Sequence, residues 1–166
     1  MRLVFAAALL LSASAAAAQQ PQPSFGCATP VARQFDFWVG RWEVRDTAGD
    51  VLGHNTIEKV EDGCVLQEQW RGARGSTGRS LNFVENEEWH QVWVANNANS
   101  TLRLKGGLRN GAMVMEGTTV DAQRATVHNR ITWTPLPNGD VRQLWETSPD
   151  GSAWRTIFDG RYVKTR

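Results

Sequence analysis

The chain is poor in the residues that most chemistry needs. It has two cysteines, three histidines and one tyrosine in 166 residues, and 18 basic side chains nearly balance 17 acidic ones. Each shortage excludes something. The two cysteines make no Cys-x-x-Cys pair, so there is no cysteine-based metal module. His54, His90 and His128 form neither His-x-His nor His-x-x-x-His. No Gly-x-Ser-x-Gly turn is present to expose an activated serine. Without a basic cluster the chain is a poor partner for nucleic acid or for an anionic membrane. No segment sustains a helical period, and no apolar run is long and well flanked enough for a transmembrane anchor.

What is present begins with an export signal. Met1-Arg2 is a short positive start, Leu3 to Leu11 an apolar stretch, and Ala16-Ala17-Ala18 a small-residue cleavage site. Residues 1–18 are therefore expected to be removed, leaving 17 basic and 17 acidic side chains. A buried N-terminal helix is the competing reading. The expected location is periplasmic or secreted. In an oxidising compartment Cys27 and Cys64 are expected to form a disulfide. Closing a loop of that size stabilises by about 4 kcal/mol in the chain-entropy model. Residues 19–34, polar and proline-containing, are expected to be a linker with little structure, and 35–166 a single domain with one core.

Within that domain, strand-favouring runs rich in Val, Thr, Trp and Phe recur about every ten residues. They cover 40–47, 51–60, 64–71, 79–85, 88–95, 101–106, 111–119, 124–134, 141–147 and 153–164. Tight turns separate them, among them Asn110-Gly111, whose two positions accept positive φ. The expected fold is all-β: an antiparallel up-and-down β-barrel of about ten strands, since closure removes exposed edges. An open sandwich is the alternative.

The chain carries eight tryptophans. Strand parity groups Glu68 with Trp70, Ser80 with Asn82, Trp89 with Gln91 and Trp93, and Gln143 with Trp145. A row of exposed tryptophans is costly, so these residues, with Trp133, are expected to face inward. Large apolar walls with a few placed polar groups make a ligand cavity for a small apolar or amphipathic molecule. The competing reading is a barrel packed solid by the same side chains. Glu68 bears on the choice: a buried carboxylate is expensive unless Arg79, Arg130 or Arg142 pairs with it, and if unpaired its pKa should rise.

Phe35-Asp36-Phe37-Trp38-Val39-Gly40-Arg41-Trp42 resembles the start of a lipocalin-like (calycin) barrel, in which a helical turn precedes Gly-x-Trp on the first strand. The resemblance implies that Gly40 and Trp42 are structural. Trp42 would plug one end, with Arg161, Lys164 or Arg166 packed across it as a cation–π partner. The wider pattern also resembles a group of exported bacterial proteins with no known activity, over about residues 27–164. It is carried by 36–42, Gly63-Cys64-Val65-Leu66, Gly78-Arg79-Ser80-Leu81-Asn82 and Arg142-Gln143-Leu144-Trp145-Glu146, and it implies fold and compartment only. Ten-stranded relatives of this kind include fatty-acid-binding and haem-binding barrels. The haem type needs a histidine on a late strand; the last two strands here have none, so no cofactor is expected.

Two other functions compete. The glycine-rich loop 72–78 with Arg71, Arg74 and Arg79 offers a mobile basic contact for a protein partner. Glu68 offers a catalytic acid or base for a bound ligand. Two local patterns read as ordinary: Ser148 to Trp154 is an Asp-Gly turn with Trp154 packed beneath, although it resembles a sialidase Asp-box, and Asn99-Ser100-Thr101 is a sequon with little meaning in a bacterial chain.

Overall fold

The computed structural model describes residues 26–98 and 100–165; residues 1–25, which include the expected signal segment 1–18, and Asn99 and Arg166 lie outside the described residues. All ten expected strands form. They are β1 (Gly40–Arg45), β2 (Val51–Val60), β3 (Val65–Gly72), β4 (Thr77–Glu85), β5 (Glu88–Ala95), β6 (Leu102–Arg109), β7 (Ala112–Val120), β8 (Thr126–Pro135), β9 (Val141–Ser148) and β10 (Arg155–Lys164). Each pairs antiparallel with its neighbours in sequence. β1 pairs with β10, from Trp42 opposite Lys164 to Arg45 opposite Arg161, and closes the barrel. Closure leaves no unpaired edge, so the open-sandwich alternative is set aside.

Alternation sends one residue in two inward. The inward set forms tiers. At the end where β1 begins lie Trp42, Ile57, Leu66, Trp89, Met113, Trp133 and Val141, all buried. Turns of 3-10 helix before β1 close this end. Phe35 stacks on Trp38 at 4.8 Å and meets Trp133 edge-on at 5.2 Å and Trp89 at 5.5 Å. The Trp42 indole N–H donates to the Trp38 carbonyl at 2.9 Å. Of the three basic candidates, Lys164 packs over Trp42, its Nζ 5.4 Å from the ring centroid; Arg161 instead pairs with Asp140 at 2.7 Å.

Order begins earlier than the linker reading of 19–34 holds. Residues Gly26–Ala28 and Val31–Arg33 form 3-10 turns. Two features of that stretch explain the difference. Cys27 is bonded to Cys64 ahead of β3. Ala32 is buried, and the Val31 carbonyl accepts from the Trp89 indole N–H at 3.1 Å. The segment is thus part of the plug. Residues 19–25 lie outside the described residues.

At the opposite end, loops β1–β2, β3–β4, β5–β6, β7–β8 and β9–β10 surround a mouth. A bulge between Thr156 and Phe158 in β10 adds Ile157 to its rim while keeping Phe158 inward. Two glycines make room for the mouth's aromatic rings. A Cβ on Gly78 would lie 2.2 Å from the Trp93 ring, and one on Gly160 would lie 2.6 Å from the Phe158 ring.

Candidate functional site

Strand register builds the site. Glu68 on β3 is opposite Ser80 on β4, and Ser80 is opposite Trp93 on β5. One pleat further toward the plug, Leu66, Asn82 and Gln91 form the next row. On the far wall Gln143 of β9 lies between Trp133 of β8 and Gly160 of β10.

A cavity of about 380 Å³ opens at the mouth, walled by Trp70, Trp93, Trp145 and Phe158, with Glu68, Gln143 and Tyr162 at its floor. Below it a chamber of about 40 Å³ is bounded by Glu68, Gln91, Trp93, Trp133, Gln143 and Trp145. That is room for a water molecule. The barrel is therefore packed at the plug end and hollow at the mouth.

The residues expected in one cavity divide accordingly. Glu68, Trp70, Trp93, Gln143 and Trp145 line the mouth cavity, and Gln91 and Trp133 reach only the small chamber. Ser80 stands behind Glu68 as its hydrogen-bond partner, and Asn82 stands behind Ser80 in turn. Trp89 faces inward but belongs to the plug, because β5 starts at that end; its ring packs on Phe35. Parity along a strand gives the face and not the depth.

Asn55, Phe158 and Tyr162 were not singled out from the sequence. Their signal was parity: Asn55 alternates with Gly53 and Ile57, and Phe158 and Tyr162 flank Gly160 at the same spacing.

Glu68 is only 5% exposed. None of the three arginines named for it reaches it. Arg130 pairs with Glu146 at 3.0 Å and Arg142 with Asp159 at 2.6 Å, both on the outer wall, and Arg79 is exposed. An arginine on an outward position cannot pass through the sheet. The carboxyl's partners are neutral instead. Asn55 Nδ2 donates to Oε1 at 2.7 Å and Ser80 Oγ to Oε2 at 2.6 Å. Burial pushes the Glu68 pKa up to about 7, against the opposing pull of the Ser80 and Asn55 hydrogen bonds.

The donors form a directed chain. Gln91 Nε2 donates to Asn82 Oδ1 at 2.8 Å, and Asn82 Nδ2 donates to Ser80 Oγ at 2.9 Å, leaving the Ser80 hydroxyl to donate to Glu68. Asn82 is fixed in this sense by also donating to the Leu66 carbonyl at 3.0 Å. On the other side, Tyr162 donates to Gln143 Oε1 and accepts from Asn55 at 3.3 Å. Burial, and then the nearby Glu68 charge, raise the Tyr162 pKa, so its hydroxyl stays neutral.

Around the rim, the glycine-rich loop is tied down rather than free. Ser76 accepts from the Trp70 indole at 3.1 Å, the Gly72 amide bonds the Ser76 carbonyl at 2.7 Å, and Asn96 reaches the Gly75 carbonyl at 3.2 Å. The histidines lie away from the cavity: His90 stacks on Phe83 outside the barrel, His54 is exposed, and His128 borders a separate surface hollow with Trp154. Trp154 lies under the Arg130 guanidinium, 4.0 Å from the ring centroid. Among the described residues no group of three His, Cys, Asp or Glu is placed to hold a metal, and no helix is long and apolar enough to cross a membrane. No protein-family model matches the chain, and no curated protein matches it.

Proposed function

We propose that this protein is an exported, lipocalin-like (calycin) binding barrel that holds a small apolar or amphipathic molecule in its mouth cavity. The observation that carries the reading is the 380 Å³ hollow between Trp70, Trp93, Trp145 and Phe158, above a polar floor. Its size falls in the range of small-molecule pockets, and so does its makeup of aromatic walls and few polar groups. The plug supports the lipocalin likeness, with Gly40-x-Trp42 at the start of β1 and Lys164 across the indole. The signal-like N-terminus and the Cys27–Cys64 disulfide support export to the periplasm or beyond.

Three of the wall residues are tryptophans, so occupancy has a direct readout. A panel of lipids, quinones and aromatic compounds should contain members that shift or quench tryptophan fluorescence saturably. Native mass spectrometry of protein purified gently from its own compartment should show an added mass that mild denaturation releases. A flat response to the whole panel together with a clean apo mass would refute the reading.

A second reading has its own observation. A depression of about 580 Å³ on the outer wall beside β3 and β4 is lined by Arg71, Arg79 and the exposed Val94. It supports contact with a protein partner. Pull-down from envelope extract should lose its target when Arg71 and Arg79 are replaced by Ser, with the cavity untouched.

A further inference from the structure

Among the described residues the mouth cavity has one acid at its floor and no base in its lining: Glu68 is there, and no Lys, Arg or His is. The groups that face Glu68 from the neighbouring strands are uncharged. They are Asn55 from β2, Ser80 from β4, Gln143 from β9 and the neutral Tyr162 from β10. The hydrogen bonds around it are directional. Gln91, Asn82 and Ser80 all pass their donors toward Oε2, and Asn55 aims its amide at Oε1. A neutral carboxylic acid needs an acceptor for its own proton, and this arrangement supplies donors. Such a chain is polarised to favour the carboxylate. Two carboxylate oxygens offer about four acceptor positions, and two are taken. The hydrogen bonds thus favour an anion at a buried position for which the described residues supply no countercharge, a costly arrangement unless something else supplies the charge. The side that is not sealed by protein is the cavity, whose walls are indole and phenyl faces. Such faces attract cations within about 6 Å of the ring centroid.

We propose that the mouth cavity is built for an organic cation, an amine or quaternary ammonium on an apolar body, with Glu68 as its counter-ion and the rings of Trp70, Trp93 and Trp145 as its walls. This inference rests on the binding reading above and narrows it to one ligand chemistry. The raised Glu68 pKa of about 7 adds a signature. A cation in the cavity stabilises the carboxylate, so binding expels the proton that Glu68 holds at neutral pH.

The test uses the mature, disulfide-bonded protein and three probes of similar size: benzyltrimethylammonium, benzyl alcohol and phenylacetate. The first is a permanent cation, so its own ionisation contributes nothing. Affinities are read by tryptophan fluorescence and calorimetry at pH 8. The ammonium is expected to bind at least tenfold tighter than the alcohol, and phenylacetate more weakly than either. Below pH 7 the ammonium affinity should fall about tenfold per unit, since one protonation is linked to binding. Calorimetry at pH 7 in buffers of different ionisation enthalpy should show about half a proton released per cation bound. Glu68→Gln should remove the preference for the cation and keep alcohol binding. The proton release is measured on the unaltered protein, so the test does not depend on that variant folding. Equal binding of ammonium and alcohol, a preference for phenylacetate, or absence of proton release overturns the cation assignment and leaves the binding barrel standing. Failure of all three probes also overturns it, and the binding reading falls with it only if the lipid, quinone and aromatic panel fails too.

Discussion

The Ser80 hydroxyl donates to Oε2 of Glu68 across 2.6 Å, beside a cavity in which no described residue provides a cation for that carboxylate. The two residues are opposite each other in the β3–β4 register, so the pairing is set by backbone geometry. It has a consequence for stability. The Glu68 pKa is raised from 4.5 to about 7 in the folded protein. Between those values the folded state binds more protons than the unfolded one, so stability falls as pH rises through this window. Below about 4.5 both states are protonated and the penalty vanishes; above 7 it is complete. At 1.36 kcal/mol per unit the full effect is about 3 kcal/mol. Urea unfolding of wild type and Glu68→Gln at pH 4, 6 and 8 should show the variant gaining by about that amount across the series. Asp150 and Asp159, whose carboxyls are held below the usual range by hydrogen bonds from the 150s turn and from Arg142, titrate in both proteins and cancel in the difference. A difference that stays flat with pH would mean that Glu68 ionises normally.

Gly78 carries the space that Trp93 occupies. An added Cβ would lie 2.2 and 2.3 Å from two atoms of the ring's outer edge, so the indole must tilt. The cavity is the open volume on that side, and a tilted ring fills part of it. Gly78→Ala is expected to weaken any saturable ligand by tenfold or more and to shift the emission maximum. The melting temperature should fall by only a few degrees, about 1 kcal/mol in a domain of this size. Unchanged affinity would show that Trp93 finds another rotamer away from the cavity.

The disulfide ties the plug to the barrel. Cys27 precedes the 3-10 turns that carry Phe35 and Trp38, and Cys64 precedes β3, 37 residues further along. Removing this cross-link by the double change Cys27→Ser, Cys64→Ser should cost about 4 kcal/mol in the chain-entropy model. The loss should be visible as a lower urea midpoint with a similar slope. Equal midpoints for oxidised and variant protein would show that the plug is held by its aromatic packing alone.

The fold was legible because alternation and turn chemistry are local. Each strand carried its own signal, and the turn at Asn110-Gly111 marked where one pair reverses. The inward parity of Glu68, Ser80, Asn82 and Gln91 followed from the same period of two. Depth was not legible. Trp89 and Trp93 share a face and lie four residues apart, yet one packs on Phe35 in the plug and the other walls the mouth. Which end a residue reaches depends on strand direction and barrel closure. The charge pairing of Glu68 was illegible for a related reason: Arg130 and Arg142 sit on strands near the cavity but at outward parity, where Glu146 and Asp159 claim them. The order in residues 26–34 was hidden by a polar, proline-containing composition, since what fixes that stretch is contact with Trp89 and Cys64, both distant in sequence.

Phe35 is the keystone of the closed end. It is fully buried, with Phe37, Trp38, Trp89 and Trp133 within 5.5 Å of its ring centroid. Truncation to alanine removes four aromatic contacts and leaves a void that the surrounding indoles, held by the 3-10 turn before β1 and by β5 and β8, fill poorly. Phe35→Ala should therefore cost about 3–5 kcal/mol. Phe35→Leu, which restores most of the volume, should recover more than half of that. The mouth is separated from this void by the polar tier of Asn55, Glu68 and Gln143, so a ligand of the mouth cavity should keep its affinity within about threefold once the variant is folded, well under 1 kcal/mol. If Phe35→Ala instead abolished binding in a protein that still unfolds cooperatively, the occupied site would extend through the small inner chamber toward Trp133, and the plug would be part of the ligand's floor.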